Sequence, residues 1–279
     1  MDDLKLGKLD PVLDKRTIPL RAIIRKELLP PLPETFDVDS DVGGINDNFL
    51  FNNSVYGDCV IAARAHQTLR FEKFEQGVQI PIADQEVVDQ YFKETGGADN
   101  GLVLLYSLKK WRKEGWVVGD KVYTIYAFAS VDWKDHDEVK HCIHLLGGVN
   151  FGMAVYEKDY DQFQNYQDWT LTGNDGKRLG GHGVYGNAYG FDKDGLFCVT
   201  WGRKQFMTWD FWSARVDEAY GIVDNKNHWM ADTSPVDLAK LDSYLREVTE
   251  GRGEPALPGC SFGWIPRFLR GFYARKGTS

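Results

Sequence analysis

Cys59 follows Tyr56-Gly57-Asp58 and opens a stretch in which apolar residues recur at helical spacing, with Val60, Ala63, Leu69, Phe71 and Phe74. Gly57-Asp58 offers a breaker and an N-cap, and Gly77 a stop, so the pattern predicts a helix over Cys59–Gln76. A thiol in the first turn of a helix lies among N–H groups that lack intrahelical acceptors, at the positive end of the dipole. Both effects stabilise negative charge and favour the nucleophilic thiolate. The other three cysteines lack this setting: Cys142 falls mid-helix, Cys198 in a strand and Cys260 in a C-terminal loop.

A nucleophilic thiol needs a base, usually histidine. His66 lies seven residues on along the same predicted helix, on one face but about 10 Å up the axis, too far to take the proton. His141 and His144 read as helix-surface residues, His136 as a cap or loop residue, and His228 follows a closing strand. His182 differs, because it opens a strand directly after Gly180-Gly181, where the backbone can approach another element closely.

The elements that must carry these groups change character along the chain. Helices are expected at Asp84–Glu94, Gly101–Glu114 and His136–Leu146, besides the one at Cys59. Strands follow: Gly148–Tyr156, a hairpin of His182–Phe191 and Leu196–Trp201 around Asp192–Gly195, and Asp217–Val223. Helices first and strands second give an α+β order. Residues 1–33 carry five prolines and read as an extended arm across the body, either an inhibitory or docking segment or a tethered tail. Residues 233–250 read as a capped amphipathic helix. Within an acidic chain, Arg267, Arg270, Arg275 and Lys276 give the end a basic, aromatic character. That end either docks on an acidic partner, membrane surface or assembly, or packs on its own body.

Composition sets the outer limits. The 279 residues carry 33 basic and 41 acidic side chains, a net charge of −8 that argues against unspecific binding to nucleic acid. Four cysteines without a C-x-x-C pair support neither a disulfide scaffold nor a zinc site, so no metal or cofactor is expected. No secretory signal and no run long enough to span a membrane is visible, and a reduced, cytoplasmic or virion- and assembly-associated protein is expected.

Over residues 32–225 the motifs, in order, resemble those of the papain-like cysteine peptidases, as a divergent member of bacterial or phage type. Leu32-Pro33-Glu34-Thr35-Phe36-Asp37 resembles the mature N-terminal signature, and Asn53 to Cys59 the segment from oxyanion residue to nucleophile. Asp99-Asn100-Gly101-Leu102 with Trp111–Trp116 is similar to the Asn-Gly-Gly-Leu helix and its following turn. Leu146–Val149 through Met153–Val155 resembles the Gly-Pro-Val strand. Gly181-His182-Gly183-Val184, Gly190-Phe191-Asp192 and Thr200-Trp201-Gly202 resemble the hairpin that carries the base. The resemblance implies a two-lobed α+β fold, helical on the left and antiparallel β on the right. Its body would span residues 34–230 and be followed by a C-terminal helix and tail over 231–279. Cys59 and His182 would face each other across the cleft, with the Cys59 N–H and the Asn53 amide holding the oxyanion. The substrate would be a peptide or protein.

Three departures matter. The oxyanion position holds Asn53 where the family has Gln, with Asn52 a nearby substitute, and Tyr56 replaces a disulfide-forming cysteine. The family's His-orienting Asn matches Val199. A regular hairpin would pair Phe191 with Leu196 and put Val199 on the face of His182. Thr200 could then serve as orienter only if a bulge shifts the register, while Trp201 would shield the site. Two functions follow: a cysteine hydrolase, most simply a peptidase, or a papain-fold protein with weak or lost catalysis that serves as a binding or structural component.

Overall fold

The computed structural model describes residues 4–46, 49–224 and 235–250. Its helices are α1 (Leu20–Ile23), α2 (Val38–Asp41), α3 (Cys59–Gln76), α4 (Asp84–Thr95), α5 (Leu104–Glu114), α6 (His136–Leu146), α7 (Glu157–Gln164), α8 (Trp209–Arg215) and α9 (Leu238–Glu250). The strands are β1 (Phe36–Asp37), β2 (Trp116–Val118), β3 (Lys121–Tyr123), β4 (Ala127–Ser130), β5 (Val149–Tyr156), β6 (Arg178–Tyr189), β7 (Gly195–Thr200), β8 (Arg203–Thr208) and β9 (Val216–Val223). The expected α+β order therefore holds.

Helix α3 is the axis of the molecule. It ends where Gly77, at φ 71°, turns left-handed and its N–H bonds the Lys73 carbonyl. Every residue from Cys59 to Phe71 is buried, so this helix has no solvated face in its first three turns. One side packs with α4, α5 and the β2–β3 ribbon around Trp111, Trp116 and Tyr91. The other side faces an antiparallel sheet ordered β4-β9-β5-β6-β7-β8, with β1 added to β6.

Two buried arginines on α3 bind it to both sides. Arg64 pairs with Glu94 of α4 at 2.8 Å and donates to the Ser107 carbonyl of α5 at 2.9 Å. Arg70 donates to Asp39 of α2 at 2.8 Å, and the same carboxylate takes Asn187 of β6 at 2.9 Å and Lys204 of β8 at 2.7 Å. Burial pushes the Asp39 carboxyl up, but Arg70 and Lys204 prevail and hold it below its ordinary value. Removing it would strand a buried guanidinium. Asp39→Ala should destabilise the fold by about 3–5 kcal/mol, read as a lower urea midpoint at unchanged slope.

The β6–β7 hairpin departs from the regular register. Residues Phe191 and Asp192, with φ of 64° and 60°, join Gly190 in left-handed backbone, and the strand ends at Tyr189. Tyr189 therefore pairs with Leu196 in the place expected of Phe191. A bulge between Gly186 and Ala188 then shifts the register once more, and Val199 pairs with Tyr185. The total offset is odd, so every side chain beyond the bulge changes face. Val199 turns away from His182 and packs with Ala63 and Tyr185, correcting the expectation that it would fill the orienter's place. Thr200 moves onto the face of His182.

The N-terminal segment is more than an arm. Ile18, Leu20 and Ile23 are buried in the sheet-side core, and Asp237 N–H bonds the Ile23 carbonyl at 2.6 Å. Residues 18–24 and the start of α9 thus brace each other, while residues 4–10 lie in the cleft with Leu4 and Leu6 packed against the edge of that core.

Candidate active site

The turn that delivers Cys59 is held in strained backbone. Phe51 and Asn52 adopt φ of 54° and 62°, a region non-glycine residues rarely occupy. The Gly57 N–H donates to Asp99 Oδ1 at 3.0 Å, and the Tyr91 hydroxyl holds the same oxygen at 2.7 Å. The loop before α5 thereby fixes the residues that precede Cys59. Asp58, fully buried, has its carboxyl pushed up to about 8 by burial, against the pull of the Asn53 amide and its own backbone N–H. It is mostly protonated at neutral pH, so it adds little negative charge beside the thiol.

Cys59 and β6 meet directly. The Gly183 N–H donates to Cys59 Sγ at 3.3 Å, and a Cβ on Gly183 would press on Val60. Only a small residue lets strand and helix start approach this closely. His182 is the preceding residue, 1% exposed, and its Nε2 bonds Thr200 Oγ1 at 2.6 Å. The Trp201 indole stacks on its ring, with centroids 4.0 Å apart and planes 17° off parallel. Phe163, Trp169 and Tyr160 enclose Trp201 from behind. Nδ1 of His182 has no hydrogen-bond partner among the described residues, so this nitrogen is the one available to the chemistry.

Thr200, and not Val199, therefore meets the imidazole. A hydroxyl is a weaker orienter than an amide or carboxylate because it can also rotate away. Thr200→Val keeps the shape and removes the bond. It should lower kcat/KM by roughly 10–100-fold with KM little changed, and Thr200→Asn should recover part of the loss.

Asn53 is buried, and its Nδ2 donates to the Tyr56 carbonyl at 3.0 Å, with the Asp58 carboxyl alongside. In this state the amide is spent locally. Neighbouring Asn52 accepts through its main-chain carbonyl from Val55 and Tyr56 at 2.8 and 3.1 Å.

The cleft is occupied by the chain's own residues 4–10. Lys5 N–H bonds the Asn53 carbonyl at 2.9 Å, Lys8 N–H the Gly181 carbonyl at 3.0 Å, and Leu9 N–H the Leu102 carbonyl at 2.9 Å. Leu102 N–H in turn bonds the Gly7 carbonyl at 2.8 Å, and the Trp201 indole N–H the Lys5 carbonyl at 3.3 Å. Gly7 crosses Gly57 so tightly that a Cβ built on Gly7 would fall on the Gly57 carbonyl. Toward the sulfur Gly7 presents its N–H, while its carbonyl oxygen is held by Leu102. The arm thus offers the sulfur a hydrogen-bond donor.

The electrostatics follow from this dry packing. Burial pushes the Cys59 thiol up to about 11, outweighing the N–H groups of Gly183 and Gly7 that pull it down. Burial pushes His182 down to about 3. Both groups are neutral while the arm is seated. Among the described residues the other histidines and cysteines make their contacts elsewhere. His66 is buried edge-on against Phe51, and His144, expected on the surface, is half-buried against Phe36. His136 stacks on Trp209, and Cys142 and Cys198 are buried in the sheet-side core. His228, Cys260 and the four basic tail residues Arg267, Arg270, Arg275 and Lys276 lie outside the described residues. Among the described residues no His, Cys, Asp and Glu cluster suits a metal ion, and no helix is long and apolar enough to cross a membrane.

Sequence reasoning missed the aromatic wall of Tyr160, Phe163 and Trp169, and the way Lys8 enters the cleft to meet Asp217 and Glu218 of β9. The aromatics had no periodic signal. The acidic pair did leave one: two charges inside Val216–Val223, a strand otherwise apolar enough to be buried.

No protein-family model matches the chain, and no curated protein sequence does. Solved structures do. The chain is similar to xylellain, a cysteine protease from Xylella fastidiosa, with a TM-score of 0.62 at 18% identity, over 81% of this chain and 98% of that one. It is also similar to procathepsin B S9 from Trypanosoma congolense, with a TM-score of 0.57 at 13% identity, over 80% of this chain and 87% of that one. Procathepsin L 3 of the Tenebrio molitor larval midgut gives 0.51 at 11% identity, over 79% and 76%. With a helix start and a β-hairpin meeting at Cys59 and His182, the chain has the papain-like cysteine protease fold.

Proposed function

We propose that this protein is a cysteine-nucleophile hydrolase that cleaves peptide or amide bonds through Cys59 and His182, and that residues 4–10 hold it inactive. The observation that carries this reading is the junction of Cys59 Sγ with the Gly183 N–H at 3.3 Å, beside an imidazole pinned by Thr200 and Trp201. Such a junction costs buried polar groups and a strained turn, which a merely structural contact does not need.

Once the arm leaves, water enters and the burial penalties on both groups fall. The thiol proton passes to His182 Nδ1, giving thiolate and imidazolium. Sγ adds to the substrate carbonyl carbon, and the oxyanion takes the Cys59 N–H and the Asn53 amide after it rotates from Tyr56. The C–N bond breaks as the imidazolium gives its proton to the departing amine. Water then gives a proton to neutral His182 and adds to the thioester. The thiolate leaves and the acid product is released. An amine in place of water would give acyl transfer with the same residues.

The competing reading, a binding or structural component with weak or lost catalysis, draws on the filled cleft, in which burial keeps both Cys59 and His182 neutral. A mixed peptide pool separates the two. The full-length protein carrying Gly7→Leu should generate new peptide termini that vanish with Cys59→Ala. No new termini, with the arm shown to be displaced, would favour the binding reading. A cytoplasmic or assembly-associated location, and a basic tail reaching an acidic partner, remain part of the proposal, and both rest on the sequence.

A further inference from the structure

Lys8 is the unusual residue of the arm. Its side chain is 1% exposed, yet it belongs to a segment that is otherwise held mainly through main-chain bonds. The ammonium lies 2.8 Å from Asp217 Oδ1, 2.9 Å from Asp217 Oδ2 and 3.0 Å from Glu218 Oε1. Glu218 is itself bonded by the Tyr220 hydroxyl at 3.0 Å. The stem passes over Gly152, where a Cβ would collide with the Lys8 side chain, and past Gly181, where a Cβ would meet the Lys8 carbonyl. Two glycines therefore make the space, and two adjacent carboxylates close it.

We infer that this pocket is a specificity site, and that the hydrolase selects substrates carrying a lysine or arginine side chain that replaces Lys8 when the arm leaves. The inference rests on the proposed hydrolase reading and adds the substrate class to it. Lys8 is the residue next to Gly7, whose N–H faces the sulfur, so the pocket receives a side chain within two residues of the reacting bond.

The charge balance supports this assignment. One ammonium faces two carboxylates, so the pocket keeps excess negative charge even when it is filled. With Lys8 seated, Glu218 is 6% exposed beside Asp217, and burial pushes its carboxyl up. An apolar side chain entering there would leave the buried Glu218 and its half-buried neighbour Asp217 without their cation, whereas an ammonium or guanidinium restores it. Sites built around buried polar groups reject ligands that lack the complementary group more strongly than apolar pockets reject a missing methylene.

The test uses the full chain with Gly7→Leu and Lys8→Ala, so that its own arm cannot refill the pocket. Binding is read by calorimetry on a Cys59→Ala background with a synthetic peptide of residues 4–10, and with the same peptide carrying norleucine at the Lys8 position. The lysine peptide should bind at least 10-fold tighter, about 1.4 kcal/mol. Adding Asp217→Asn and Glu218→Gln should abolish or reverse that preference. Equal or tighter binding of the norleucine peptide to the unsubstituted acidic pair overturns the pocket, whatever hydrolysis shows. Hydrolysis is read separately with Cys59 intact. Cleavage of a peptide pool with lysine or arginine enriched at one fixed position near the scissile bond supports the assignment. Cleavage without that enrichment overturns it and leaves the hydrolase standing. Lysine-selective binding without any cleavage keeps the pocket and removes the hydrolase.

Discussion

Replacing Gly7 by leucine in the full-length protein should raise the rate at which iodoacetamide labels Cys59 at pH 7 by at least about 100-fold. With the arm seated, burial pushes the thiol up to about 11, so only about 1 molecule in 10,000 carries a thiolate at neutral pH. An ordinary exposed thiol, with a pKa of about 8.5, is a few per cent ionised, which alone gives a factor of more than 100. Pairing with His182 would add to it. Leucine acts because the Gly57 carbonyl occupies the place of a Cβ at position 7, and Gly57 is itself pinned by Asp99. Mass spectrometry locates the label. Cys142 and Cys198, both buried in the core, serve as internal controls, since their labelling in parallel with Cys59 would report unfolding rather than release of the arm. An unchanged Cys59 rate, with the fold intact, would mean that the arm does not control access.

The second large effect concerns hydrolysis by that released chain. Cys59→Ala and His182→Ala should each lower kcat/KM by about 1,000-fold or more, and the double variant should be no worse than the poorer single one. This non-additivity follows from the geometry. His182 neighbours Gly183, whose N–H touches the sulfur, and its Nδ1 has no hydrogen-bond partner among the described residues. Losses that simply multiply would indicate that the two residues contribute independently, as in binding.

Much of this was legible in the chain. The Cys59 helix was bounded by Gly57-Asp58 and Gly77 because left-handed backbone at 77 requires a residue like glycine, and the observed bounds coincide with the expected ones. His182 stood out because two glycines precede it. In the structure Gly180 faces Leu6 and Gly181 faces Lys8, so the glycines serve the approach of the arm rather than that of another strand. What could not be read was register. The bulge at Asn187 decides whether Val199 or Thr200 meets the imidazole, since the two-residue shortening after Tyr189 is even and keeps the face. Asn187 is drawn to Asp39, a residue remote in sequence that Arg70 also holds. The arm likewise gave only its extended character. Its entry into the cleft rests on main-chain bonds to Asn53, Leu102 and Gly181, which no side-chain pattern encodes.

Thiolate–imidazolium pairing is the central claim, and the pH profile of Cys59 alkylation in the Gly7→Leu chain tests it most directly. An ion pair forms at the pH where an isolated thiol is still protonated, because the imidazolium favours the thiolate. The rate should therefore stay near its plateau from pH 8 down to about pH 6, and His182→Ala should move the profile to that of an ordinary thiol near pH 8.5. A profile that rises only near pH 8.5 in the presence of His182, and is unmoved by its removal, would contradict the account.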